Sequence, residues 1–154
     1  MRAHGWKGME WQQAMELLNE MRHGRVVPTT ITFNVAISAC GKGMQWKQAL
    51  QLLSEMRHDR VVPNTITFNA AISACEKGMQ WKQALELLRE MRHDRVAPNT
   101  ITFSAAISAC EKGMQWKQAL ELLSEMRHDR VVPDTITFNA VSYTHLTLPT
   151  ILRV

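Results

Sequence analysis

Residues 65–99, TITFNAAISACEKGMQWKQALELLREMRHDRVAPN, decide the fold, because the stretch occurs three times in succession. Thr30–Asn64 departs from it at five positions and Thr100–Asp134 at four. Trp11, Trp46, Trp81 and Trp116 are spaced by 35, and so are Pro28, Pro63, Pro98 and Pro133. A fixed period of about 20–50 residues marks a solenoid or array, in which each unit covers its neighbour's apolar face. What is constant between copies is then mostly scaffold, and function is read from what varies.

Each copy reads as two helices, so the fold class is all-α. In the second copy the first helix runs from about Ile66 to Lys77. Pro63 and Asn64-Thr65 are its start signals and Gly78 its stop. Phe68, Ile72 and Cys75 recur at i, i+4 and i+7 and form one apolar stripe. The second helix runs from about Gln80 to His93, with Trp81, Ala84, Leu85, Leu88 and Met91 as its buried face. Arg92 and His93 place positive charge at its negative end. No segment in the repeats sustains a period of two.

The copies divide the chain into 1–29, a partial degenerate repeat, then 30–64, 65–99 and 100–134 as full repeats, and 135–140 as the start of a truncated one. From Gly8 onward the first segment matches the others; before that the identity fails, with Gly5 in place of Cys40 and Trp6 in place of Gly41. After Ala140 the pattern breaks in mid-helix into VSYTHLTLPTILRV. This resembles the translation of a common sequencing-library adapter, so 141–154 is excluded as a non-native tail; the alternative is a short extended tail, which Tyr143, Thr144 and Thr147 favour. With no polar capping helix at either end, the chain reads as a fragment of a longer array.

The 154 residues, 45% of them hydrophobic, suffice for one ordinary domain with a buried core. The formal charge of +4 leans towards an anionic partner. Within residues 65–99, however, Lys77, Lys82, Arg89, Arg92 and Arg95 nearly cancel Glu76, Glu86, Glu90 and Asp94, so charge alone is weak support. Cys40, Cys75 and Cys110 hold one position in successive repeats. Stacked helices lie about 8–10 Å apart, too far for the roughly 7 Å that a disulfide spans, so these are reduced packing residues. No metal-ligand spacing accompanies them. No apolar run reaches about 18 residues, so no membrane span is expected, and MRAHGWKG resembles no signal or transit peptide.

The tetratricopeptide pattern W-x-x-L-G-x-x-Y is absent. The Thr-Phe-Asn opening, the Cys-x-Lys-Gly turn, the Ala-Leu-x-Leu-Leu-x-x-Met helix and the terminal Pro with Asn or Asp instead resemble the pentatricopeptide repeat, from Gly8 to Ala140. One departure is that Arg60, Arg95 and Arg130 stand where that family has Gly before the closing V/I-x-P, which leaves the path of the connector open. The resemblance implies a right-handed α-solenoid, part of a P-type array, that binds single-stranded RNA at one repeat per base in a chloroplast or mitochondrion. It implies base-reading pairs between the fifth and last residues of each repeat: Asn34 with Asn64, Asn69 with Asn99, and Ser104 with Asp134. Ile31, Ile66, Ile101 and Ile136 would wedge between bases, and Lys42, Lys77 and Lys112 would contact phosphate, with Lys7 in the degenerate copy. The implied readout is pyrimidine, pyrimidine, guanine.

The residues themselves agree with this placement. Ile66, Asn69 and Ser73 fall at i, i+3 and i+7 on a face displaced from the core stripe. An amide and a branched apolar side chain on an exposed face suit base-edge hydrogen bonding and base packing. Of the four differences between residues 65–99 and 100–134, two are Asn69/Ser104 and Asn99/Asp134; neutral drift at exposed sites is the plain alternative. The recurring His23, His58, His93 and His128 beside Arg, three times also beside Asp, read as solvated helix ends, because adjacent helical residues point apart. The H-x-E…P-C-x-x-C zinc signature of a deaminase is missing. No catalytic site, cofactor, metal or small-molecule substrate is expected. The competing reading is a scaffold that holds a protein segment in the same groove, or a piece without autonomous function.

Overall fold

The computed structural model describes residues 2–133, with side chains from Glu10 onward. These form seven helices: α1 (Arg2–His23), α2 (Thr30–Lys42), α3 (Trp46–His58), α4 (Thr65–Lys77), α5 (Trp81–His93), α6 (Thr100–Lys112) and α7 (Trp116–His128). The helix ends fall within a residue of those read from the sequence. In the degenerate first segment α1 is one continuous helix, where each later repeat has two. The segments 135–140 and 141–154, with Asp134, Ile136 and the adapter-like tail, lie outside the described residues.

The architecture is a helical solenoid. The first helices of the repeats, α2, α4 and α6, stack on one another; α3 sits against both α2 and α4, and α5 against both α4 and α6. The core runs along this seam. Phe33, Phe68 and Phe103 are fully buried, with Ile37, Ile72 and Ile107 and the three cysteines behind them. The stripe Phe68, Ile72, Cys75 is thus the core stripe. Burial pushes the thiols of Cys40 and Cys110 up to about 11 and that of Cys75 to about 12. They are free of disulfides and stay protonated at neutral pH.

The second helices differ from expectation in their buried face, where Trp81 is only half-buried. Ala84, Leu88 and Met91 are buried, but so is Leu87, whereas Leu85 is only half-buried. The reason is that the second helix serves two neighbours. Leu87 turns into the core, and Leu85 lines a cleft of about 190 Å³ between α5 and α7.

Neighbouring second helices are joined by a ladder of arginines. Arg57 Nη1 and Nη2 donate to Glu90 at 2.7 Å and Asp94 at 3.0 Å, and Arg22 does the same to Glu55 and Asp59. Arg92 reaches Asp129 at 3.0 Å. The same guanidinium groups lie over the next repeat's Phe, with 5.8 Å from Arg22 to the Phe33 centroid, 5.6 Å from Arg57 to Phe68 and 5.7 Å from Arg92 to Phe103. One residue therefore clamps two elements of the next repeat. Half-exposed pairs of this kind contribute about 0.2–1 kcal/mol each. The histidines beside the aspartates are exposed, as expected for helix-end residues.

The helix stops need a correction. Gly78 does not sit in the left-handed region; its φ is −84°, and Met79 after it has φ 59°. The same exchange holds at Gly43/Met44 and Gly113/Met114. Gly78 is required by space instead: a Cβ there would stand 2.8 Å from Trp46 Cγ of the preceding repeat. The connectors are resolved in the same way. Arg25, Arg60, Arg95 and Arg130 all take φ near 60°, and Val61 N–H closes the turn on Met56 C=O at 2.9 Å. Arginine accepts the conformation that glycine would adopt freely, against a left-handed cost of about 1–2 kcal/mol. Less the roughly 0.5–1 kcal/mol that glycine loses in chain entropy, Arg95→Gly is expected to stabilise the fold by about 0.5–1 kcal/mol. A rise in the urea midpoint would bear this out; a fall would mean that the arginine side chain supports the connector.

Candidate nucleic-acid interface

The residues at the repeat boundaries are held by helix capping. Asn64 caps α4 in extended conformation, and its Oδ1 accepts the Thr67 N–H at 3.1 Å. Thr67 Oγ1 in turn accepts the Asn64 N–H at 3.0 Å. Asn99 and Thr102 repeat this at α6, with 3.2 Å and 3.0 Å. A side-chain oxygen at this position satisfies a helix N–H that has no partner within the helix. The last residues of the first two full repeats, Asn64 and Asn99, are thereby fixed in place.

That fixing brings distant residues together. Asn34 Nδ2 donates to Asn64 Oδ1 at 3.2 Å, and Asn69 Nδ2 donates to Asn99 Oδ1 at 3.1 Å. In each case the fifth and last residues of one repeat, 30 positions apart, are in direct contact. The exposure expected for the fifth residue is not found. Asn34 is 9% exposed, Asn69 8% and Ser104 5%. The next repeat explains this: Thr67 Oγ1 donates to Asn34 Oδ1, and Thr102 Oγ1 to Asn69 Oδ1. Asn64 and Asn99 remain exposed, so the outward edge of each pair belongs to the last residue. Asp134, the partner expected for Ser104, lies outside the described residues.

Ile31, Ile66 and Ile101 stand beside these pairs at 75%, 63% and 60% exposure. Isoleucine is among the residues most often buried, so three exposed at one helical position form a row of apolar surface without a core role. Asn34, Ile66 and Lys42 line one open groove of about 560 Å³, walled further by Leu17 and Val35. This groove holds one member of each of the three residue classes singled out in the sequence.

Lys42, Lys77 and Lys112 are each the last residue of a first helix. They are not equivalent. Lys112 Nζ lies 3.0 Å from Glu76 Oε1, and Ser108 Oγ donates to the same oxygen at 3.0 Å. One boundary earlier the position of Glu76 is held by Gly41, and among the described residues Lys112 is the lysine of the three that forms an ion pair. Sequence reading treated the lysines alike because it compared each with its own copy. The substitution of Gly41 by Glu76 was the visible signal. Thr67 and Thr102 were also missed. Their Asn-x-x-Thr spacing marks a cap, but their reach into the preceding repeat is not a within-helix relation.

Family models match most of the repeat region. A PPR repeat family model matches residues 28–77 and 63–112, a pentatricopeptide repeat domain model residues 9–43, and a PPR repeat model residues 101–131. No curated protein sequence matches the chain. Among solved structures, the pentatricopeptide repeat protein PPR10 in complex with an 18-nt psaJ RNA element is 29% identical, with a TM-score of 0.78 over 94% of this chain and 20% of that one. PPR10 from maize is 30% identical, with a TM-score of 0.77 over 88% and 19%. The PPR domain of Arabidopsis thaliana protein-only RNase P 1, in complex with tRNA, is 17% identical with a TM-score of 0.81 over 97% and 80%, a likeness of fold alone. The chain spans about a fifth of the length of PPR10.

Proposed function

The chain belongs to the pentatricopeptide repeat family, and on that premise we propose that it binds single-stranded RNA along the face formed by α2, α4 and α6, one base per repeat. The observation that supports this most directly is the contact of Asn34 with Asn64 and of Asn69 with Asn99 beside a row of exposed isoleucines. Paired amides offer hydrogen bonds to a base edge, and an isoleucine on either side offers apolar packing to its faces. Asn/Asn pairs read pyrimidines in this proposal, and Ser104 with Asp134 reads guanine, since Asp is acceptor-only and guanine presents N–H donors. The protein acts by occupancy, masking or remodelling a transcript in a chloroplast or mitochondrion, and not by catalysis. The structure of PPR10 with an RNA element, at 29% identity, supports the same partner class.

The proposal has a salt signature. Each phosphate neutralised on a single strand contributes a slope of about −0.7 to log K against log salt. Lys77→Ala is expected to weaken binding of a short single-stranded RNA and to flatten that slope by roughly 0.7. Lys112→Ala is expected to do distinctly less, because Glu76 already holds its ammonium at 3.0 Å. Salt-insensitive RNA binding, or none, with capture of an extended peptide instead, would overturn the RNA reading in favour of a protein scaffold.

A further inference from the structure

The amide pairs are not free to turn. Two backbone N–H groups, which have a fixed direction, set the polarity of a closed hydrogen-bond circuit. Thr67 N–H points at the Asn64 side chain, so the facing atom is Oδ1. That oxygen also receives the Asn34 amide, so the facing atom of Asn34 is Nδ2. Asn34 Oδ1 is then turned to Thr67 Oγ1. The hydroxyl oxygen already accepts the Asn64 N–H, and its single hydrogen has two acceptors in reach, Asn64 Oδ1 at 3.0 Å and the nearer Asn34 Oδ1. Asn64 Oδ1 already receives two N–H donors, so the hydrogen goes to Asn34. The same circuit runs through Asn69, Asn99 and Thr102. A flipped Asn34 would set its Oδ1 against Asn64 Oδ1, acceptor against acceptor.

Counting what remains shows what the circuit presents. Each amide has two N–H donors and an oxygen with two acceptor sites. Asn64 Oδ1 is filled by Thr67 N–H and by the Asn34 amide, which leaves the two N–H donors of Nδ2 on an exposed residue. The edge offered to a ligand is therefore a donor edge, and its sign is fixed before any ligand arrives.

We propose that Thr67 and Thr102 are specificity-positioning residues for the repeat that precedes them: each hydroxyl reaches back across the boundary and locks the buried Asn34 or Asn69 amide, so that the pair presents donors to the acceptor oxygen of a pyrimidine. Each base is then read by three residues, the third supplied by the next repeat. This rests on the RNA-reading proposal and adds to it a dependence of one repeat's specificity on its neighbour's side chain.

The test uses the full chain and short single-stranded RNAs carrying each of the four bases opposite the first or second full repeat. Thr67→Val removes the hydroxyl at nearly constant shape. It is expected to lower the pyrimidine-over-purine ratio opposite the first full repeat by roughly 3- to 10-fold, the worth of one hydrogen bond, and to leave the second unchanged. Thr102→Val is expected to do the reverse, and Thr67→Ser to restore the ratio. Because the hydroxyl also caps α4, side-chain amide exchange is measured by NMR as a readout that needs no RNA. The Asn34 amide protons are expected to exchange slowly in the parent and in Thr67→Ser, and fast in Thr67→Val. Unchanged base ratios and exchange in the valine variants, with discrimination in the parent, would overturn the positioning role alone. Equal loss of affinity for all four bases would reduce the threonines to caps and also overturn it. A parent that does not discriminate would remove the RNA reading, and this inference with it.

Discussion

Replacing Phe68 with alanine is expected to cost about 3–5 kcal/mol, the range for truncating a large buried aromatic. Phe68 is fully buried in the central repeat and contacts the seam on which α2, α4 and α6 stack. Its ring also carries the Arg57 guanidinium at 5.6 Å, and Arg57 in turn holds Glu90 and Asp94. Truncation removes the apolar contacts and the surface that positions the clamp. A domain has only about 5–15 kcal/mol in total, so much of the stability would go. An array is held by nearest-neighbour coupling, so the loss in the middle is expected to split one unfolding transition into two. Urea unfolding followed by the fluorescence of Trp46, Trp81 and Trp116 reads both effects. A loss below about 1 kcal/mol would be far outside the range for a filled core site and would contradict this packing.

Gly78→Ala is the second large effect, and its cause is steric. With φ at −84° the backbone at Gly78 suits any residue, and alanine would lower the entropy lost on folding. A cap that needs glycine for its conformation would be damaged by alanine whatever lies nearby. Here the added methyl meets the Trp46 ring, 2.8 Å from Cγ. Overpacking of this kind costs about 1–3 kcal/mol. Removing Cγ and the ring in Trp46→Ala should therefore recover part of the loss, so that the double variant is more stable than the sum of the single changes. Strict additivity in thermal or urea melts would contradict a direct clash. Gly113 against Trp81 offers the same experiment one repeat later.

These two residues also show where sequence reading succeeds and where it stops. Phe68 was legible because i, i+4, i+7 periodicity reports the buried side of a helix without reference to any neighbour. The helix limits were legible because Asn64 and Pro63 act locally. Gly78 was legible as an ending but not in its reason, since Trp46 lies 32 positions earlier. Arg92, the counterpart of Arg57 one repeat later, was read as a helix-end charge, while the partners of Arg57, Glu90 and Asp94, lie 33 and 37 positions on. Those separations straddle the period of 35 by two residues, which places the contact between repeats, where analysis of one helix has no purchase. The burial of Asn34 has the same origin. Its own helix leaves it beside the core stripe, and Thr67 from the next repeat covers it.

If the amide pairs are the part that meets a base, one substitution at Asn64 changes which base is preferred. Asn64→Asp keeps the helix cap, because Asp serves as an N-cap as well as Asn, and keeps an oxygen for Thr67 N–H and the Asn34 amide. It replaces the outward donors by acceptors. The full chain and its Asn64→Asp variant are titrated at low salt with single-stranded RNAs that differ only in the base opposite the first full repeat. The parent is expected to prefer pyrimidines. In the variant the preference narrows from both pyrimidines to uracil, whose N3–H is a donor, while the base opposite the second full repeat keeps its rank. An identical ranking of the four bases in parent and variant would contradict base reading by these pairs.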